Sequence, residues 1–221
     1  MLDAEYIFQL IALLCSLITL GRRRPGYFQV LLVLLALTVL NELFLVPWIQ
    51  RNHLFNRNID YNIYSFLDMG CWLYVFRQIL QGRKIRRAIL PAALILLVYS
   101  CLELQLRSWH HLHADSFRLY EIFILVLSCS YLYGTFRIDY YVLVRDPVFW
   151  ICAACIIYHS ILFLNFTTLS MNRYWYLRNA NSIFDMLQAW GNAFYYLLLS
   201  ASFITCYYYK SPTGRMDSFR E

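Results

Sequence analysis

Tyr27-Phe-Gln-Val-Leu-Leu-Val-Leu-Leu-Ala-Leu-Thr-Val-Leu-Asn-Glu-Leu-Phe-Leu-Val46 holds one charged side chain, Glu42, in an otherwise apolar or neutral run. A helix rises about 1.5 Å per residue, so a run of this length matches the hydrocarbon thickness of a bilayer. Six further stretches read the same way, at residues 6–21, 61–80, 88–105, 117–136, 147–169 and 182–206. The sequence therefore predicts an all-α, polytopic transmembrane bundle of seven helices over residues 1–206. Residues 207–221 are expected to form a short cytoplasmic tail, with no soluble domain attached.

Composition leads to the same class. Of 221 residues, 61% are hydrophobic and 14% charged, against about 25% charged in a soluble domain. One globule of this size could not bury so much apolar surface, which excludes a soluble enzyme. A disordered chain is excluded by the same hydrophobicity, and 7 Gly with 5 Pro leave no low-complexity linker. The net charge of +6 sits in short basic clusters between apolar runs, the pattern of membrane loops rather than of a nucleic-acid surface. All 7 cysteines fall inside apolar runs, so they read as small packing residues and not as a disulfide framework. The first apolar run follows Asp3 and Glu5 and precedes Arg22, Arg23 and Arg24, the reverse of a secretory signal, and is expected to be a retained helix.

Loop charges set the expected orientation. With the N-terminus outside, twelve Lys and Arg fall in cytoplasmic segments and five in outer loops. That bias predicts an outer N-terminus and a cytoplasmic C-terminus. Tyr207, Tyr208, Tyr209 and Lys210 read as an aromatic belt with a snorkelling base at the inner interface. Asn62 with Asp68-Met69 and Asn179 with Asp185-Met186 form a faint echo that allows helices 1–3 and 5–7 to be repeats around helix 4.

Ionisable groups within a bilayer are costly, about 2.5–3.5 kcal/mol each at the helix centre. This chain carries Glu42, Asp68, Glu103, Glu121 and Asp185, with Arg118 nearby and Asn41, Asn62, His159, Asn165, Gln188 and Asn192 as neutral companions. In the expected orientation all lie in the outer half or at the midplane, whereas inner stretches such as 30–37 and 88–98 are almost purely apolar. Tyr61, Tyr64, Asp68 and Trp72 share one helix face; so do Asp185, Gln188, Asn192 and Tyr195; and Arg118 and Glu121 are three apart. These stripes predict an aromatic-lined polar cavity open to the outside. Its expected ligand-binding residues are Asp68, Asp185, Gln188, Asn192, Tyr64, Glu42, Glu121, Arg118 and His159. The plainer alternatives are headgroup-level charges for Glu42, Glu103 and Glu121, and interhelical hydrogen bonding for the deeper groups.

Sharper chemistries have less support. His110, His111 and His113 in the loop Trp109–Asp115 are of the types that ligate Zn, Cu or Ni. Cys152 and Cys155 have metal or redox spacing but sit in an apolar helix. A retinal Schiff base needs a lysine in the last helix, and Lys84 and Lys210 are both at the cytoplasmic edge. The Gly-x-Gly-Asp context of an intramembrane aspartyl protease and the last-helix histidines of a ceramidase-type hydrolase are absent from the sequence. No cofactor is expected.

The run Tyr61-Asn-Ile-Tyr-Ser-Phe-Leu-Asp-Met-Gly-Cys-Trp-Leu-Tyr-Val-Phe76 resembles the third helix of small, uncharacterised seven-helix membrane proteins of Bacteroidetes, and Asp146-Pro-Val-Phe-Trp150 resembles their Pro-Leu-Phe-Trp segment. Asp68 stands where that family more often carries Glu, which keeps a carboxylate and shortens its reach. The resemblance implies a seven-helix layout in a bacterial inner membrane and a sensing role beside a histidine kinase. On these grounds the expected function is a membrane sensor for a small polar or cationic ligand. Its partners would be the lipid bilayer, a small-molecule ligand and a cytoplasmic or membrane signalling protein such as a histidine kinase, without nucleic acid. The alternatives are a small-solute or proton-coupled transporter with a 3+1+3 layout, an intramembrane lipid-modifying enzyme, and a structural subunit of a larger assembly.

Overall fold

The computed structural model describes residues 4–19, 25–52, 57–80, 82–108, 114–135, 140–171 and 185–209. Long helices dominate: α1 (Ala4–Ile18), α2 (Gly26–Asn52), α3 (Arg57–Ile79), α4 (Arg83–Arg107), α5 (Ala114–Thr135), α6 (Pro147–Met171) and α7 (Asp185–Tyr208), with a single short turn at Tyr140–Leu143. No strand occurs among the described residues. Four of these helices, Gly26–Asn52, Arg83–Arg107, Ala114–Thr135 and Pro147–Thr168, are long and apolar enough to cross a membrane. The 23 residues of α3 and the 24 of α7 are also of spanning length, but polar stripes along them lower their hydropathy.

Each helix packs on the next in the chain, and α7 returns to pack on α1, so the bundle closes into a ring. Thr38 of α2 bonds Tyr64 of α3, and Glu103 near the end of α4 bonds Ser116 near the start of α5. Those pairings set successive helices antiparallel, as short connections require. α3 also touches α5, which displaces α4 toward the periphery. Side chains of α4 such as Leu94, Ile95, Val98 and Leu102 are accordingly exposed, an apolar surface suited to lipid.

One half of the ring is filled by Phe28, Trp72, Phe76, Ile124, Ile151, Leu199 and Phe203. Small buried residues, Ala12 and Ser16 on α1, Ser128 on α5, Ala154 and Cys155 on α6, and Ser200 and Ser202 on α7, let the backbones approach closely. Cys152 and Cys155 are buried and unpaired, in keeping with packing. This end is less purely apolar than the sequence suggests. The Tyr131 hydroxyl of α5 donates to Asp146, whose other carboxylate oxygen accepts the Val148 N–H at 3.1 Å. Asp146 thus N-caps α6, with Pro147 in the first helical position where its missing N–H costs nothing.

α2 departs from regular geometry at a π-helical turn, Asn41–Leu45, where the Val46 N–H bonds the Asn41 carbonyl. Pro47 supplies the physical reason: it has no N–H to offer Leu43, so the ladder shifts by one residue just before it. That extra residue sets the rotation of Glu42.

Candidate functional site: an acidic cavity within the ring

In the other half of the ring the helices part around a cavity of about 1010 Å³. Its walls come from the first half and middle of α2, the first half of α3, the ends of α4 and α5 that meet, the second half of α6 and the first half of α7. Tyr64, Asp68, Glu42, Glu121, His159, Gln188 and Asn192, all expected from the sequence, lie along it. Gly191 of α7 packs so close to α6 that a methyl there would come within 2.7 Å of the Ile161 Cδ1, which keeps the α6 and α7 walls in contact.

On the floor, the Tyr120 hydroxyl donates to Asp68 Oδ2 at 2.9 Å. Beside it Glu121 Oε2 is hydrogen-bonded to His159 Nδ1 across the α5–α6 interface, with both side chains buried. The imidazole stands edge-on to Tyr120 and Trp72, with ring centroids 5.9 Å and 6.2 Å away. In the neutral imidazole a carboxylate at Nδ1 favours the Nδ1–H tautomer, which leaves Nε2 as a lone-pair acceptor. Nε2 has no hydrogen-bond partner among the described residues. Asp68 is within electrostatic reach of both His159 and Glu121.

A second carboxylate centre lies on the α1–α2–α7 side. Gln9 Nε2 donates to Glu42 Oε2 at 2.7 Å and to the Tyr196 hydroxyl at 3.3 Å. Tyr158 and Tyr195 stack at 4.5 Å in the wall between the two centres. Gln9 was not apparent from sequence; a lone amide in an apolar run has no stripe to mark it, and only the packing of α1 against α2 and α7 brings it to Glu42 and Tyr196.

At the α4–α5 junction Arg107 bonds Asp115 at 2.7 Å and Glu103 at 3.3 Å. Glu103 is not a cavity group: it accepts the Ser116 N–H at 2.8 Å and the Asp115 N–H at 3.3 Å, capping the start of α5. Arg118 also departs from expectation. It bonds Asp115 at 2.9 Å one turn back, while Glu121 takes His159 instead, and Arg107 replaces Arg118 in the cavity wall. Asp185 supplies the first residue of α7, but its side chain falls outside the described residues, as do His110, His111 and His113. No cluster of three or more metal-ligating side chains occurs among the described residues.

The lining carries Glu42, Asp68, Asp115 and Glu121, and among the described residues Arg107 is its one Lys or Arg. Arg107 is already bonded to two carboxylates. The lining therefore offers carboxylates and tyrosine side chains, groups of the kind that attract cations. An all-helical chain with membrane-length apolar helices and an interior acidic cavity is the class that fold and site define. Comparison with protein-family models, curated proteins and solved structures finds no match.

Proposed function

We propose that the chain crosses a bacterial inner membrane as seven helices, N-terminus outside, and acts as a sensor whose cavity binds a small organic cation. The observation that carries this reading is the charge pattern of the cavity: Asp68 and Glu121 lie on its floor, whereas the one basic side chain in the described lining is held by Asp115 and Glu103. Carboxylates enclosed in hydrocarbon need a compensating cation or a proton, and tyrosine faces add to the attraction of an ammonium group. The volume is at the upper end of small-molecule sites, roughly 300–1,000 Å³. Occupancy would draw α3, α5 and α6 together at Asp68, Glu121 and His159, and the far ends of these helices would pass the shift to a cytoplasmic or membrane partner such as a histidine kinase.

The experiment is thermal unfolding of the purified protein in detergent with heptylamine, and with 1-heptanol as its neutral counterpart. The reading expects heptylamine to stabilise the protein in a dose-dependent way, heptanol not to, and Asp68→Asn to lose most of the heptylamine effect. Equal stabilisation by both compounds, or full retention by Asp68→Asn, contradicts it.

The Glu121–His159 pair favours a second reading, proton-coupled transport, because a carboxylate–imidazole pair facing a cavity is a proton-exchanging unit. Amine-driven proton movement in liposomes holding the purified protein would replace the sensor by the transporter.

A further inference from the structure

Beyond its acidic centre, the cavity holds an element that charge does not explain. Asn165 is only 4% exposed and lines the cavity, yet neither its Nδ2 nor its Oδ1 has a hydrogen-bond partner among the described residues. A buried primary amide left unpaired at both ends is costly, about 1–3 kcal/mol for each group, and a donor–acceptor group entering from the cavity would relieve that cost. His159, 1% exposed, has a second such atom in Nε2. The two residues are six apart on α6, about 9 Å along the axis, and Leu162 lines the cavity between them. Going up α6 from the floor, the wall thus presents a lone-pair acceptor, an apolar step, and a donor–acceptor pair.

Resting on the cation reading above, we propose that the ligand class is an alkyl amine bearing a primary carboxamide. Its ammonium group would sit between Asp68 and the lone pair of His159 Nε2. A short methylene chain would cross Leu162. Its primary carboxamide would meet Asn165 edge to edge, the ligand carbonyl accepting from Nδ2 and the syn N–H of its amide nitrogen donating to Oδ1. A simple alkyl amine satisfies the floor but leaves Asn165 unpaired, and sites built to hydrogen-bond a group discriminate strongly against analogues that lack it.

The test compares 6-aminohexanamide with heptylamine, which has the same chain length and greater hydrophobicity, by calorimetric titration of the full-length protein in detergent. The expected result is at least about tenfold tighter binding of 6-aminohexanamide by the wild type, and collapse of that ratio in Asn165→Leu. Should the variant fail to fold, the wild-type ratio decides alone. Binding of both amines with equal affinity, or tighter binding of heptylamine, overturns the amide inference and leaves the cation reading standing, with water as the partner of Asn165. A preference that survives Asn165→Leu also overturns it. Absence of binding by either amine overturns both.

Discussion

His159 on α6 and Glu121 on α5 are joined by a hydrogen bond between Nδ1 and Oε2, and both side chains are almost wholly enclosed at the cavity floor. Their value to the fold and their value to the site are separable. Removing His159 strands a carboxylate among aromatic rings, whereas changing Glu121 to its amide keeps an oxygen that still accepts the Nδ1–H. His159→Leu should therefore cost about 3–5 kcal/mol of stability, and Glu121→Gln distinctly less. Unfolding of both variants in detergent checks the order, and equal losses would contradict a buried carboxylate that depends on its imidazole partner.

Tyr120 gives a finer reading of Asp68. Its hydroxyl is the donor seen on Oδ2 at 2.9 Å, so Tyr120→Phe removes one charge-assisted bond without opening a large void. A stability loss of about 1.5–3 kcal/mol is expected. Heptylamine stabilisation should persist in this variant, because the carboxylate that attracts the ammonium remains. Titration of heptylamine against Tyr120→Phe and Asp68→Asn, side by side, separates support of the carboxylate from the carboxylate itself.

Asp146 tests the opposite end of the bundle. As the N-cap of α6 it bonds the Val148 N–H and receives the Tyr131 hydroxyl, and Asp146→Ala should cost about 1–2 kcal/mol. Asp146→Asn keeps a capping oxygen and should be milder. Burial lifts the Asp146 carboxyl above its ordinary range, against the pull of its Tyr131 and Val148 bonds. A carboxyl whose folded pKa exceeds its unfolded one contributes its stability at low pH and loses it as pH rises through the folded value. Relative to Asp146→Asn, the wild type should accordingly lose stability as pH is raised from about 4 upward. Melting curves of the two proteins across that range measure it.

Much of this arrangement was legible in the chain. Runs of spanning length located the helices, because a bilayer fixes how long an apolar stretch must be. Helical spacing put Tyr64 with Asp68, and Gln188 with Asn192, on common faces, and both pairs line the cavity. Spacing within one helix does not fix the rotation of its neighbours. Arg118 and Glu121 share a face on α5, yet Arg118 turns to Asp115 and Glu121 to His159. Glu103 looked like another intramembrane acid, and only the turn from α4 to α5 shows it capping a helix start. Gln9 was hidden for a related reason: its partners, Glu42 and Tyr196, are 33 and 187 residues away. The π turn of α2 was implicit in Pro47, but its effect on Glu42 needed the backbone.

Access to the cavity is the point on which sensing, ligand class and orientation all depend. It is measured most directly by placing one cysteine at Gln188, in a chain whose native cysteines have been replaced, and timing its modification in intact cells. The reagents are membrane-impermeant thiosulfonates, one cationic and one anionic, each normalised to its rate with free cysteine. An acidic cavity open to the outside predicts modification from outside the cell, faster by about tenfold or more for the cationic reagent and slowed by heptylamine. A cysteine at this position that does not react from outside, or that reacts equally fast with both reagents, would contradict it.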